Sequence, residues 1–501
     1  MKRLFAAFLT AGLLVLSCRF SSPTPSPTLP ADSDPLQTAW DDRSIFESGL
    51  VESARPVLDE LPGASVYHIT FNVSDTIYKI TGTEEVRYTN TESVALNEVH
   101  FRLFPNILGG ELQITNLQAD GEPVTPQYKL ANSLMIVPFP EALEPGQSLV
   151  IKMEFSLRVP QSLESSYGMF AYYEDVLALA HAYPMVCVYD DDESWNEEIP
   201  AQYGDITYSD ASFYIVRVSA PKDLTLVTSG QRISSDGAGQ LQTMVVASGP
   251  ARDFFMAASP NYQEVTHKVG EVTIRNYASR DLAQGAQFTV DTAADALEAF
   301  SKRYAPYPYT ELDLVATPNL ALGIEYPGAI ALTTRVYEVG TQPRGSADAA
   351  LLEATVAHEV AHQYFYNLVG NDQLDDPWLD EALAQFLTLQ YYKDVYGGNA
   401  GQGFYASLTA RWEKVGFEKI PIGLPVAAYQ PEEYGPIVYG RGPLFVEALQ
   451  EEMGAPAFDT FLREYTGTLS WDIATPEAFQ SLAEKHCACD LDELFNEWVY
   501  P

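Results

Sequence analysis

The chain has 501 residues, 46% of them hydrophobic and 19% charged, which suffices for two or three domains with substantial cores and excludes a chain that is disordered throughout. Its 29 basic and 68 acidic side chains give a net charge of −39. Because so acidic a surface repels phosphate backbones, the composition argues against nucleic acid as a partner.

The N-terminus has the pattern of an export signal. A positively charged start, Lys2-Arg3, precedes an apolar run over residues 4–16, which is too short for an ordinary membrane-spanning helix. The small residue before Cys18 resembles a bacterial lipoprotein processing site, so we expect residues 1–18 to be a signal and Cys18 to carry a lipid. This predicts an exported protein that is lipid-anchored to the outside of a bacterial cell membrane. The alternative is a simple cleaved signal in which Cys18 has no role.

A tether is predicted after the signal. Residues 19–60 begin with RFSSPTPSPTLPADSDP, rich in Ser, Thr and Pro, a composition that cannot build a core. No later stretch approaches 18 consecutive apolar residues, so the anchor is the only contact with a membrane that the sequence predicts.

Residues 61–262 show hydrophobic residues with a period of two. In VYHITFNVS, the side chains of Tyr67, Ile69, Phe71 and Val73 alternate with polar ones, and SLVIKMEFSLRVP repeats the pattern. Such alternation is typical of strands with one buried face. We therefore predict an antiparallel β-rich domain, a sandwich or saddle, over this range.

The period changes to that of helices in residues 263–501. The segments with helical patterns are residues 288–305, 347–370, 375–398, 441–454 and 475–487. Short strands are predicted around 312–320 and 328–334. The predicted fold class is thus α+β multidomain, an antiparallel β-rich N-terminal domain followed by a mostly helical, thermolysin-like catalytic domain.

The sequence HEVAHQ carries the strongest chemical signal. His358 and His362 are four residues apart, and side chains at this spacing lie on one face of a helix. A catalytic zinc ion takes three protein ligands and keeps an open position, and H-E-x-x-H supplies two ligands and a base. Glu359 is the candidate base, since a carboxylate beside zinc can take a proton from water.

Glu381 is the candidate third ligand. It follows His362 by 19 positions, in WLDEALAQ, where the first turn of the next predicted helix can lie alongside the two imidazoles. A set of two histidines and one glutamate is typical of zinc hydrolases. We predict one Zn²⁺ per chain, held by His358, His362 and Glu381.

The motifs together resemble the gluzincin zinc aminopeptidase family, of the membrane alanyl aminopeptidase and leukotriene hydrolase type. HEVAHQYFYNLV is similar to its H-E-x-x-H-Q-W-F-G-N pattern, PWLDEALAQF to W-L-N-E-G-F-A, ALGIEYPGAI to G-x-M-E-N, and IVYGRGPLF to Y-x-K-G. All four occur in the family's order. The family's usual C-terminal helical repeat domain would need more chain than follows the last motif, so we expect a more open cleft.

The resemblance implies further roles. Tyr439 would donate its hydroxyl to the oxyanion of the tetrahedral intermediate, and Glu325 would bind the free α-amino group of a peptide. Gly323 and Ile324 would hold the substrate through edge-strand pairing. The implied activity is a zinc-dependent aminopeptidase that releases N-terminal residues from peptides, with Glu359 as general base.

Some positions depart from the family's pattern. Leu322, Tyr326, Tyr366 and Asp380 replace its usual residues, and a second amine-binding group from the β domain is not identifiable, with only Asp190–Asp192 as a hint. Two alternatives therefore stay open, a zinc hydrolase with endopeptidase or non-peptide (epoxide or amide) substrates and a catalytically silent peptide-binding module. No pattern indicates the oligomeric state, the natural substrate or the preferred side chain.

The cysteines give a weak signal. HCACD holds Cys487 and Cys489 beside one histidine with no second cluster, so a zinc role there is not expected. Whether Cys187, Cys487 and Cys489 form a disulfide stays open.

Overall fold

A computed structural model describes residues 34–190, 194–338, 344–346 and 349–501. The first half is built almost entirely of strands and the second mostly of helices, which confirms the predicted fold class. Within the described residues, no helix combines the length and the apolar character that crossing a membrane requires.

The strands of the first half are short to medium in length and mainly antiparallel. They are β1 Val66–Val73, β2 Lys79–Thr89, β3 Leu96–Arg102, β4 Glu111–Ala119, β5 Glu122–Pro123, β6 Gln127–Lys129, β7 Leu134–Leu143, β8 Ser148–Arg158, β9 Phe170–Tyr173, β10 Val176–Leu179, β11 Met185–Val186, β12 Tyr189–Asp190, β13 Ser194–Trp195, β14 Ser212–Pro221, β15 Thr225–Thr228, β16 Gln231–Ala238, β17 Leu241–Ala251 and β18 Met256–Ser259.

The largest sheet has eight strands in the order β16-β17-β14-β1-β2-β8-β4-β5. Within it β1 runs parallel to β14, and its other neighbour pairs are antiparallel. Strand β8 alternates buried and exposed side chains along most of its length, as the period of two predicts. Two four-stranded sheets, β15-β18-β10-β9 and β11-β3-β7-β6, and the β12-β13 pair complete this half.

The second half combines a five-stranded sheet with the helices. Its strands are β19 Tyr262–Val269, β20 Val272–Ser279, β21 Glu311–Thr317, β22 Gly323–Tyr326 and β23 Ala329–Thr333. The helices are α2 Ala283–Arg303, α3 Ala350–Ala361, α4 Trp378–Tyr396, α5 Gly398–Glu413, α6 Pro431–Pro436, α7 Gly442–Met453, α8 Ala455–Thr468, α9 Pro476–Cys487 and α10 Asp492–Trp498; a short α1, Val57–Glu60, lies near the N-terminus. In the sheet, β22 is an edge strand, paired only with β23.

The helix predicted to carry both histidines is shorter than predicted, and only His358 lies within it. Helix α3 ends at Ala361 rather than near Gly370, and its predicted first residues, 347 and 348, lie outside the described residues. Beyond Ala361 the chain continues in turns, and the φ of 119° at Tyr366 is incompatible with a helix that would reach Gly370. The Tyr366 hydroxyl donates to Asp253 Oδ2 at 2.9 Å, which fixes this turn against the β-rich half.

Residues 34–60 differ from the predicted tether. They form short 3-10 helices and α1, and six of their apolar side chains are buried in a core cluster that contains residues of both halves: Ile45, Phe46, Leu50, Val51, Val57 and Leu58. The Phe46 ring lies 4.9 Å from that of Phe213. The Ser- and Pro-rich composition ends before this apolar group begins, so residues 34–60 belong to the folded body. Residues 1–33, with the predicted signal, Cys18 and the rest of the tether, lie outside the described residues.

The cysteines near the C-terminus are joined to each other. Cys487 and Cys489 form a disulfide, whereas Cys187 is a buried free thiol. Burial raises the pKa of the Cys187 thiol to about 12, so it stays protonated at neutral pH.

Candidate metal centre and active-site cleft

The three predicted ligands converge on one point. His358 lies in the last turn of α3 and His362 directly follows that helix, with their Nε2 atoms 3.1 Å apart. Glu381 Oε2 lies 3.1 Å from His358 Nε2 and 3.4 Å from His362 Nε2. All three side chains are buried.

Local structure explains this convergence. Helix α4 begins at Trp378, so Glu381 lies in its first turn, and α4 packs against α3. The ring of His362 is oriented by Nδ1, which lies 3.0 Å from the carbonyl oxygen of Phe365. Because a carbonyl only accepts, Nδ1 carries the proton and Nε2 presents its lone pair to the cluster.

The side chains of this cluster fit a zinc ion. Glu381 Oε2, which faces the two imidazoles, is buried without a hydrogen-bond partner among the described residues, an arrangement that is costly unless another group satisfies this oxygen. Two imidazole nitrogens and one carboxylate oxygen within 4.8 Å of one another are the donor set of a catalytic zinc site.

Charges in the cluster also favour a cation. Burial and the neighbouring His362 lower the pKa of His358 to about 4, so it is the neutral imidazole that binds metals. Burial alone would lower the pKa of His362, but the charges of Glu325 and Glu381 raise it well above its usual value. The buried carboxylates thus stabilise a positive charge at this position.

Glu359 lies between the cluster and edge strand β22. A Cβ atom built on Gly323 would lie 2.3 Å from Glu359 Oε1, so only a glycine allows the strand this close. Glu359 Oε2 has no hydrogen-bond partner among the described residues. Burial, and then the charge of Glu325, raise the pKa of Glu359 well above its usual value, which favours uptake of a proton.

Tyr439 lies beside the cluster, on a different element from the three predicted ligands. It lies in a π-helical turn, Ile437–Arg441, and its hydroxyl donates to Glu381 Oε1. Burial and the charge of Glu381 raise the pKa of Tyr439 well above its usual value, so the hydroxyl stays a neutral hydrogen-bond donor.

Glu325 is held by a residue that sequence analysis missed. Gln373 Nε2 donates to Glu325 Oε1 at 3.0 Å and to Asp380 Oδ2 at 2.8 Å. Its Oε1 accepts from the backbone N–H of Thr207, in the β-rich half, at 3.1 Å. Gln373 belongs to none of the motifs, so only its contacts reveal it.

A second missed residue is Asp205, which reaches the cleft from the loop before β14. Burial, and then the charges of Glu325 and Glu381, raise the pKa of Asp205 well above its usual value. Asp190, the only described residue of the three that hinted at a second amine-binding acid, lies in β12 and does not line the cleft. No sequence signal distinguishes Asp205 from the other acidic residues of the chain.

The cleft has a volume of about 380 Å³. Edge strand β22 contributes Gly323, Ile324 and Glu325 to its wall, and Tyr434 and Tyr439 also line it. The structure thus brings all the sequence-predicted site residues to one cavity.

Residues 288–498 match the model of the Peptidase family M1 domain. Among curated proteins, the chain is 24% identical over 294 residues to "Aminopeptidase M1" of Arabidopsis thaliana, covering 57% of this chain and 33% of that protein. It is 27% identical over 256 residues to "Probable aminopeptidase 2" of Sulfurisphaera tokodaii, covering 48% and 31%. The chain thus spans about one third of the length of these relatives.

Solved structures share the fold over most of the chain. The M1 zinc metallopeptidase from Deinococcus radiodurans superposes with a TM-score of 0.65 at 19% identity, covering 87% of this chain and 92% of that one. A mutant of that protein bound to a Tyr-Ser-Ala substrate gives a TM-score of 0.66, also at 19% identity, with 87% and 93% covered. A mutant described as a two-domain M1 zinc metallopeptidase, bound to L-arginine, gives 0.67 at 18% identity, with 91% and 96% covered.

Proposed function

Because residues 288–498 match the model of the Peptidase family M1 domain, we propose that the protein is a zinc-dependent aminopeptidase of that family. The observation that carries the proposal is the position of Glu325 beside the cluster of His358, His362 and Glu381. Its carboxylate is buried and faces the cleft. Bound zinc supplies a Lewis acid that polarises the scissile carbonyl and lowers the pKa of water.

Recognition of a free amine follows from the acidic residues of the cleft. Glu325 and Asp205 both line it, and each pKa is raised through burial and neighbouring carboxylates. A protonated α-amino group at this point would relieve the repulsion between them. An N-acetylated peptide offers no such charge, so the pair would select substrates with a free N-terminus.

The remaining residues supply proton transfer and orientation. Glu359 takes the proton from the attacking water and returns it to the leaving nitrogen, a role that contributes roughly 10²–10⁴-fold in rate. Tyr439 donates its hydroxyl to the oxyanion, where charge develops only in the transition state. The exposed edge of β22 at Gly323 and Ile324 offers backbone groups for pairing with an extended peptide.

The test compares alanyl-coumarin with N-acetylalanyl-coumarin, each with and without a chelator. We expect release of coumarin from the free-amine substrate only, with loss of turnover on chelation and recovery when zinc is added. Equal cleavage of the blocked substrate would indicate an endopeptidase or amidase instead. A zinc-loaded protein without turnover on either substrate would indicate a silent binding module.

We also propose that the protein is exported and lipid-anchored through Cys18. The proposal rests on the charged start, the short apolar run and the small residue before Cys18. In a bacterial expression host fed with labelled palmitate, the full chain should incorporate label into the membrane fraction and Cys18→Ser should not. Equal labelling of both chains would contradict the anchor.

A further inference from the structure

Arg411 is a cation in the cleft that the proposed mechanism does not use. It lies on α5 and lines the same cavity as Glu381 and Tyr439. Its guanidinium is half-buried, and in the described part of the chain no side chain or carbonyl forms a hydrogen bond or ion pair with it. A partly buried charge without a partner is costly.

Comparison with the other described arginines shows that a partly buried guanidinium without a partner is unusual in this protein. Within the described ranges, the guanidinium groups that also make no hydrogen bond or ion pair are those of Arg55, Arg232 and Arg280, and all three residues are exposed. The fully buried Arg252 and Arg441 each donate to three backbone carbonyl groups. Of the arginines that the structure describes, only Arg411 is partly buried and has a guanidinium without a hydrogen-bond or ion-pair partner.

Packing fixes Arg411 beside the catalytic tyrosine. Helix α5 lies against the π-helical turn that holds Tyr439, and the contact is made at Gly440. A Cβ atom on Gly440 would lie 2.9 Å from the backbone nitrogen of Trp412 and 3.0 Å from Arg411 Cβ. This close approach holds the start of the arginine side chain at a set position relative to Tyr439.

The surroundings indicate what the guanidinium binds. Burial lowers the pKa of Arg411, while Tyr439 and Glu381 raise it; the group stays charged at neutral pH because arginine titrates far above this range. Glu381 is near enough to raise the pKa of Arg411, but none of the described carboxylates forms an ion pair with its guanidinium. An anion that pairs with this group would therefore come from a ligand, and a guanidinium binds carboxylates in a bidentate manner. A multiply charged phosphate would be repelled by the cleft acids.

We propose that Arg411 binds a substrate carboxylate on the leaving-group side of the scissile bond. This deepens the proposed function and rests on it: the peptide is held by its α-amino group at Glu325 and by a carboxylate at Arg411. Two sources fit the same chemistry, the C-terminal carboxylate of a short peptide and the side chain of an Asp or Glu that follows the cleaved bond. The enzyme would then favour zwitterionic short peptides or acidic second residues.

The experiment measures kcat/KM for two substrate pairs. Ala-Ala against Ala-Ala-NH2 tests the C-terminal carboxylate, and Ala-Glu-NH2 against Ala-Gln-NH2 tests the side chain. We expect the wild-type protein to prefer the carboxylate member of at least one pair by roughly 10–100-fold, as charged hydrogen bonds allow. Arg411→Gln should abolish that preference and Arg411→Lys restore part of it. Lys414→Gln, an equal charge change at the exposed residue that follows α5, should leave it intact.

Binding gives an independent readout. In the zinc-loaded Glu359→Gln protein, calorimetry should show a lower Kd for the carboxylate member of the preferred pair, and adding Arg411→Gln should raise that Kd to the level of its partner. Turnover of alanyl-coumarin without a carboxylate preference in either pair, or a preference that survives in Arg411→Gln, would overturn this inference alone. Failure to hydrolyse any of these substrates would instead overturn the proposed function.

Discussion

At the scale of single residues, the site depends on partners that lie outside its motifs. Gln373 donates to Glu325 and Asp380 and accepts from Thr207, so one amide joins the proposed amine-binding carboxylate to both halves of the molecule. A leucine of similar size removes both donors while it keeps the volume.

Gln373→Leu should therefore weaken recognition of free amines. Leaving a buried carboxylate without its donor costs about 1–3 kcal/mol, so we expect KM for alanyl-coumarin to rise about tenfold or more, with unchanged zinc content. Gln402→Leu, on an exposed position of α5, is the matched control. Equal KM values for Gln373→Leu and the wild-type protein would show that Glu325 does not need this contact.

Glu84 offers a test of pH dependence. It is 0% exposed in β2, neither carboxylate oxygen has a hydrogen-bond partner in the described structure, and burial raises its pKa well above the usual 4.5. Because the folded pKa is raised, the stability that Glu84 contributes is complete below the unfolded pKa and is lost as the pH rises through the folded one.

We expect Glu84→Gln to remove this loss. Urea unfolding at pH 5 and pH 8 should show a smaller fall in the free energy of unfolding for the variant than for the wild-type protein. Glu154→Gln, on an exposed position of neighbouring β8, should behave like the wild-type protein. The same fall in all three proteins would mean that Glu84 is not held protonated by the fold.

At the scale of elements, the contact between α5 and the π-helical turn sets the position of Tyr439. Gly440 makes that contact, and an added Cβ would meet the backbone nitrogen of Trp412 at 2.9 Å. Backbone atoms cannot move aside as a flexible side chain can, so the two elements would have to separate.

Gly440→Ala should reduce both stability and turnover. Overpacking of this kind costs about 1–3 kcal/mol, and displacement of Tyr439 should lower kcat more than it changes KM. Gly435→Ala is the matched control, because a Cβ atom there meets nothing within 4 Å and the added methyl group favours the helix. If the two variants have the same stability and kcat, the contact does not position Tyr439.

At the scale of the whole molecule, the N-terminal segment and Arg252 join the two halves. Phe46 is buried in a core cluster that contains residues of both halves and contacts Phe213 of β14, while Arg252 donates to the carbonyl oxygens of Asn367 and Asp472 at 3.1 and 2.7 Å. Residues 34–60 are thus a structural part of the protein.

Phe46→Ala should destabilise the protein by about 3–5 kcal/mol, the usual cost of emptying a buried aromatic site. Urea unfolding of the full chain measures this, with the 45% exposed Val94 changed to Ala as the control. A loss no larger than that of the control would support a tether that reaches residue 60.

The sequence predicts the site residues that depend on local spacing, and it does not reveal those that are brought together by contacts between segments far apart in the chain. His358, His362 and Glu381 follow from one helical repeat and one short connection, and the fold class follows from the change of period. Asp205, Gln373 and Arg411 are brought to the cleft by loops and helix packing that no motif marks. The predicted tether wrongly included residues 34–60. The Ser- and Pro-rich composition around Pro30 was taken to continue to residue 60, although the apolar residues around Phe46 interrupt it.

The most direct measurement of the central claim is the zinc content of the purified, folded protein after reconstitution, read with its activity. We expect one zinc per chain in the wild-type protein and in Glu359→Gln, with turnover of alanyl-coumarin lower by roughly 10²–10⁴-fold in that variant, and a clearly weaker zinc affinity in Glu381→Ala. A folded wild-type protein that retains no stoichiometric zinc, or a Glu381→Ala variant that binds zinc as tightly as the wild-type protein, would contradict the zinc site of His358, His362 and Glu381.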